Sequence, residues 1–386
     1  MKRLPPLTGI LLFTVLLLAA APAAPAIAAP PALSTHAAGA ALIDVESGRI
    51  LYSHNGDEKM RIASLTKVMT AIVAIEHGKL PDAVKVTKNA YGKEGSSVYL
   101  KLGEEMSLHN LLYAMMLRSG NDAATAIAEH VGGSLDGFVY LMNEKAQWIG
   151  MENTTFQNPH GLDAEGHLST ANDMAKLTAY ALKNPVFREI VKTQVKRAPN
   201  PNDAHEYTWY NKNKMLSLYE GADGVKTGYT RAAGRCLITS ATRNGQQLVA
   251  VTLNDRNDWA DHARMLDYGF KFFPLKEWVD RGQPLQGQPY VAGQSFAYPV
   301  AEGEESAMSA KPVMFGENEI AARFGQKGIL QFTFRDQIVG SVPLYEPGHP
   351  LLNEQQSAFR PLAEPSRPGF GGAFKAVLRA LFMSEY

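Results

Sequence analysis

Three short stretches of the chain hold residues that could do chemistry. In "RIASLTKVMTAIVAIEHG", residues 61–78, Ser64 and Lys67 stand three apart at the head of an apolar run. Ile62, Leu65, Val68, Met69, Ile72, Val73 and Ile75 leave no strongly polar face before Glu76, so the segment reads as a buried helix with Gly78 as its stop. Residues i and i+3 share a helix face, which makes Ser64 and Lys67 neighbours. An N-capping serine and a snorkelling lysine would account for the same pair. In "MLRSGNDAATAIAEHVGG", 116–133, Ser119 and Asn121 stand just before an alanine-rich helix, where a cap and turn would explain them. In "GADGVKTGYT", 221–230, Lys226, Thr227 and Gly228 follow a turn and begin a strand, as an exposed edge-strand lysine also would.

Each stretch alone has an ordinary structural explanation, but their order does not. Ser-x-x-Lys, then Ser-x-Asn, then Lys-Thr-Gly is the motif set of the penicillin-interacting serine enzymes. The stretches "RIASLTKVMTA", "GSSVYL", "LLYAMMLRSGNDAATAIAEHVGG", "FQNPHGLDAEGHLSTANDMAKL" and "GVKTGYTRAAGRCL" resemble D-alanyl-D-alanine carboxypeptidases, the low-molecular-mass penicillin-binding proteins. "NDWADHARMLDYGF" looks most like versions from Gram-positive spore formers.

The resemblance implies a division of labour. Ser64 would be the nucleophile. A serine hydroxyl is weak until a base takes its proton, and Lys67 can do so only if neutral. Burial and a nearby positive charge, here Lys226, both lower a lysine pKa. Ser119 would relay the proton to the leaving D-alanine, and Asn121 would orient the substrate amide and the lysine. Lys226 and Thr227 would hold the terminal carboxylate, with Gly228 letting the substrate lie along the strand. The backbone N–H groups of Ser64 and Tyr229 would form the oxyanion hole. His160 in "NPHGLD" is a candidate for deacylation and Arg256 in "LNDRND" for carboxylate binding. The implied partners are peptidoglycan stem peptides ending in D-Ala-D-Ala and β-lactams, which would acylate Ser64. A β-lactamase uses the same constellation, but the second motif reads Ser-Gly-Asn rather than Ser-Asp-Asn, and no Glu-x-x-Leu-Asn stretch lies between the second and third motifs. A penicillin sensor without turnover is the other alternative.

The elements that must position these residues follow a strand, helix, strand order. Residues 39–52 read as two strands around Glu46-Ser47-Gly48, and 234–242 with 246–254 as a hairpin turning at Asn244-Gly245. Between them, 62–192 is mostly helical, and 260–273 has helical spacing. One sheet backed by a helical lobe satisfies the pattern, an α/β (α+β) class like the serine β-lactamase and penicillin-binding-protein fold. The catalytic domain is expected over 29–275. Short alternating runs such as "GILQFTF" suggest a small β-rich domain over 276–348. A Pro/Gly-rich linker would cover 349–372 and an amphipathic, membrane-associating helix 373–386.

Composition narrows the setting. The chain has 386 residues, and its Lys plus Arg and Asp plus Glu totals are both 38. This zero balance argues against a nucleic-acid partner. Lys2 and Arg3, an apolar stretch and Ala26-Ile27-Ala28 form a secretory signal over 1–28, so the protein is expected at the extracytoplasmic face of the membrane or in the wall. A single cysteine, Cys236, can form no internal disulfide and reads as a small buried hydrophobe. No His, Asp or Glu spacing suggests a metal, and no cofactor is expected.

Overall fold

The computed structural model describes residues 30–316 and 319–352. The expected export signal, the terminal helix and most of the linker lie outside the described residues. The chain divides into two compact units. One runs to Lys276 and takes in Ala297–Met308; the other holds Glu277–Phe296 and the residues from Ser309 on. The first unit reclaims Ala297–Met308 because Arg49 fastens it, with Nη1 donating to the Pro299 carbonyl at 2.5 Å and Nη2 to both Glu304 oxygens at 2.8 Å.

The first unit is built on a five-stranded antiparallel sheet. Its strands are β1 (Ala37–Asp44), β2 (Ile50–His54), β3 (Ala222–Thr230), β4 (Gly234–Arg243) and β5 (Gln246–Asp255), in the order β2-β1-β5-β4-β3. The β4–β5 turn, Asn244-Gly245, has positive φ at both residues (49° and 80°), as a two-residue hairpin requires. Strand β5 is apolar on both faces. Val249 and Val251 join the core shared with the helices, whereas Leu248 and Ala250 pack with Met265 and Leu266 of helix α7 (Asp258–Phe272). A sheet covered on both faces gives this continuous apolar run rather than alternation.

The helical side comprises α1 (Lys67–His77), α2 (Leu108–Arg118), α3 (Asn121–Gly132), α4 (Leu135–Ile149), α5 (Ala171–Leu182) and α6 (Pro185–Lys192). Side-chain oxygens of Ser107, Ser134, Thr170 and Asn184 cap α2, α4, α5 and α6. Helix α1 is buried from Lys67 through Ala74, and each fully buried Ile or Val contributes about 1.5–3 kcal/mol. Ser64 is not on the α-helix: Ala63–Thr66 form a 3-10 turn that leads into it. The pairing with Lys67 survives because i and i+3 also align in a 3-10 turn.

In the second unit a four-stranded sheet runs in the order Val291–Ala292, Gln337–Tyr345, Gly328–Phe334, Met308–Met314. Strand Gly328–Phe334 alternates strictly between buried and half-buried positions, with Phe332 stacked on Phe296 at 4.2 Å between ring centroids. Among the described residues no helix is long and apolar enough to cross a membrane.

Candidate active site

The nucleophile turn is held in an unusual backbone shape. Ala63, just before Ser64, has φ of +47°, a conformation that side-chain-bearing residues adopt only when their surroundings impose it. Segment 156–168 imposes it. The Gln157 N–H donates to His167 Nδ1 at 3.0 Å, which fixes the hydrogen on Nε2. His167 Nε2 then donates to Thr66 Oγ1 at 2.8 Å, and Thr66 Oγ1 donates to the Ala63 carbonyl at 2.9 Å. Burial lowers the His167 pKa to about 4, so the ring is neutral and can serve this relay. Gly161 lies against the same carbonyl, with φ of +84°; a Cβ there would sit 1.9 Å from Ala63 O. No side chain fits.

Ser64 does not cap the turn: it lies inside it, and the N-cap position is taken by Ile62. Its hydroxyl instead faces Lys67, whose Nζ lies 3.0 Å from Ser64 Oγ, 2.7 Å from Asn121 Oδ1 and 2.6 Å from the His160 carbonyl. Lys67 is fully buried. Burial first, then the charges of Lys226 and Lys212, hold its pKa well below the ordinary lysine value, against a weaker opposing pull from Asp122. Two of its three partners are pure acceptors. A neutral amine has two hydrogens, which those two take, and its lone pair is left facing the hydroxyl of Ser64.

Ser119 and Asn121 come from a sharp junction. Ser119 ends α2 in the left-handed region (φ 66°), Gly120 follows, and Asn121 begins α3. Asn121 Nδ2 donates to the Glu94 carbonyl at 2.6 Å, which orients Oδ1 toward Lys67. Next to it, Asp122 accepts from Ser97 Oγ and from the N–H groups of Val98 and Leu100, pinning the loop that carries Ser96. Ser119 Oγ is buried and has no hydrogen-bond partner among the described residues.

Strand β3 is the sheet's edge and runs beside the nucleophile turn. A Cβ on Gly228 would lie 3.1 Å from the Ser64 nitrogen and 3.2 Å from the Ile62 carbonyl, so glycine permits the approach. Lys226 is 1% exposed, donates to the Thr227 carbonyl at 2.8 Å, and has its pKa lowered to about 7 by burial and by Lys212. Ser64, Ser119, Thr227, Gly228 and Tyr229 line one cavity of about 460 Å³. Ser96, Lys212, Arg235, Cys236, Asp258 and Trp259 complete its wall.

Of the outlying sequence candidates, His160 is buried and reaches the site through its carbonyl. Its Nδ1 accepts from the Leu162 N–H at 3.3 Å, and burial together with Lys67 lowers its pKa to about 3. Arg256 is exposed in the turn after β5 and is not part of the cavity wall. Cys236 is buried, and burial pushes its thiol up to about 12, in keeping with a small apolar residue. Sequence reasoning missed Gly161, His167, Asp122, Lys212 and Arg235. Only Gly161, between a histidine and a leucine in "NPHGLD", gave a signal that could have been weighed.

Comparison with known proteins gives one family. The model for D-alanyl-D-alanine carboxypeptidase, peptidase S11, matches residues 24–257. D-alanyl-D-alanine carboxypeptidase DacF of Bacillus subtilis is 36% identical over 263 residues, covering 66% of this chain and 67% of the relative. DacC of Escherichia coli is 39% identical over 252 residues, covering 60% of each. The match to DacC thus spans less than two thirds of that relative. Among solved structures, penicillin binding protein 5 from Haemophilus influenzae aligns with a TM-score of 0.66 at 26% identity, covering 82% of this chain and 98% of the other.

Proposed function

Because the chain belongs to the D-alanyl-D-alanine carboxypeptidase family, we propose that it removes the terminal D-alanine from peptidoglycan pentapeptides through an acyl-enzyme on Ser64, and that penicillins acylate the same hydroxyl. The observation that carries this reading is the buried Lys67 amine, 3.0 Å from Ser64 Oγ, with its other two contacts going to pure acceptors. Neutral, it takes the Ser64 proton as Oγ attacks the carbonyl carbon of the penultimate D-alanine. The Ser64 and Tyr229 N–H groups receive the oxyanion, each such donor being worth about 3 kcal/mol. The carbon–nitrogen bond then breaks, and the proton held by Lys67 passes through the Ser119 hydroxyl to the departing amine, leaving Lys67 neutral and Ser119 unchanged. Water attacks the ester, Lys67 accepts its proton and hands it to Ser64 Oγ as the bond from the acyl carbon to Oγ breaks, which regenerates both the serine hydroxyl and the neutral lysine.

Asn121 holds both the lysine and the substrate amide. Thr227 offers its hydroxyl to the substrate's terminal carboxylate, and Lys226 contributes its positive field from beneath the strand. Gly228 keeps β3 clear for an extended peptide along the sheet edge. His160 acts through its carbonyl on Lys67. In this reading the enzyme works outside the cytoplasm, as the N-terminal segment 1–28 implies, and the amphipathic segment 373–386 lies on the membrane surface.

The test is release of D-alanine from diacetyl-Lys-D-Ala-D-Ala by the mature protein. Turnover of this peptide, together with slow hydrolysis of bound penicillin, is expected. Rapid hydrolysis of penicillin with no peptide turnover would make the protein a β-lactamase instead. Trapping of penicillin with no turnover of either would make it a sensor.

A further inference from the structure

A cation suited to a carboxylate stands in the cavity wall outside all three motifs. Arg235 on β4 lies directly opposite Tyr229 of β3, so the two side chains leave the sheet on the same face. Both line the cavity with Thr227 and Gly228. Asp258 anchors the guanidinium from one side, accepting from Nε at 3.0 Å and from Nη2 at 2.5 Å. The Asp258 side chain is only 6% exposed, whereas that of Arg235 is 46% exposed. The Trp259 N–H, at 2.9 Å, also holds Asp258.

A guanidinium has five N–H groups. Asp258 uses the one on Nε and one on Nη2. The two on Nη1 and the second on Nη2 remain, and together they form an end-on fork of the shape that grips a carboxylate through two parallel bonds. The other nearby cations lack this combination. Lys226 is buried and turned to the Thr227 carbonyl. Arg256 is outside the wall, and Lys212, a point charge, lies 3.4 Å from Ser96 Oγ.

We propose that Arg235, its fork set by Asp258, pairs with the carboxylate next to the scissile bond: the terminal carboxylate of the peptide and its counterpart in penicillin. The inference rests on the carboxypeptidase reading above. It makes Arg235 a residue that selects substrates with a free C-terminus.

The experiment compares charged and neutral forms of each ligand in the full mature chain. Ser64 acylation rates are measured for benzylpenicillin and its methyl ester, and cleavage rates for diacetyl-Lys-D-Ala-D-Ala and its C-terminal amide. Arg235→Gln should slow the carboxylate-bearing members about 10- to 100-fold and leave the neutral ones nearly unchanged. Arg235→Lys, with the charge but not the fork, should recover only part. Each ratio is taken within one preparation, so any loss of folded protein cancels. An equal loss on charged and neutral forms would overturn the proposal, since it would mean that Arg235 only braces Asp258. So would a charged-to-neutral ratio that collapses in Arg256→Gln and survives in Arg235→Gln. If the peptide is not cleaved at all but the penicillin pair still splits, the carboxypeptidase reading fails and the carboxylate role of Arg235 stands.

Discussion

Gly161→Ala puts a single methyl group where the structure has no room for one. The new Cβ would stand 1.9 Å from the Ala63 oxygen, 2.5 Å from the Ala63 carbonyl carbon and 2.8 Å from Thr66 Oγ1. Carbon–oxygen contacts settle at about 3.3 Å or more, so the two segments must part by roughly 1.4 Å. The Ala63 carbonyl cannot simply rotate away, because it accepts from Thr66 and belongs to a residue already at φ +47°. Alanine at the Gly161 φ of +84° costs a further 1–2 kcal/mol or so, and the overpacking about 1–3 kcal/mol. Ser64 follows Ala63 directly, and a displacement of about 1 Å at a reacting group can cost on the order of 100-fold in rate. Penicillin acylation of the variant should therefore fall by about two orders of magnitude, with a stability loss of a few kcal/mol in urea unfolding. An acylation rate within twofold of the parent, at unchanged stability, would refute the claim that Gly161 sets the nucleophile turn.

Lys226→Ala removes a positive neighbour that helps depress Lys67. The Lys67 ammonium then becomes easier to keep, and the acid limb of kcat/KM should move to higher pH; a limb that stays in place or moves down would separate the two lysines. The pair titrates as a unit, so the shift is read on the macroscopic profile. Ser119→Ala deletes a buried hydroxyl that has no partner among the described residues, so urea unfolding should show little or no loss of stability while acylation slows markedly. His262 is buried neutral, its pKa lowered by burial from 6.5 to about 3. The unfolded chain binds this proton below about pH 6.5 and the folded chain does not, so stability is lost as pH falls through that window. His262→Leu should flatten the pH dependence of the unfolding free energy there by up to about 1.4 kcal/mol per pH unit; an unchanged slope would count against it.

Much of this site was legible in the sequence because its chemistry is written in local spacings. Ser64 and Lys67 are three residues apart, Ser119 and Asn121 two, and Lys226 to Gly228 are consecutive, so one turn or one strand suffices to present each group. The strand, helix, strand order was legible for a similar reason: hairpin turns and apolar runs are local signals. What stayed hidden depends on residues that meet only after folding. His167 reaches Thr66 across about a hundred positions, and Arg235 gains meaning only beside Asp258. The helix expected to begin before Ser64 begins at Lys67, because Gly161 and His167 hold the preceding residues in a tighter turn that no periodicity reveals.

The central claim, that Ser64 is the acylated nucleophile and Lys67 its base, is tested most directly by mapping the penicillin adduct. Mature protein is incubated with benzylpenicillin, digested and sequenced by mass spectrometry, alongside Ser64→Ala and Lys67→Ala. The account predicts one adduct, on Ser64, in the parent protein, none in Ser64→Ala, and acylation in Lys67→Ala slowed by at least about 100-fold. An adduct on any other residue, or labelling of Lys67→Ala at the parental rate, would contradict it.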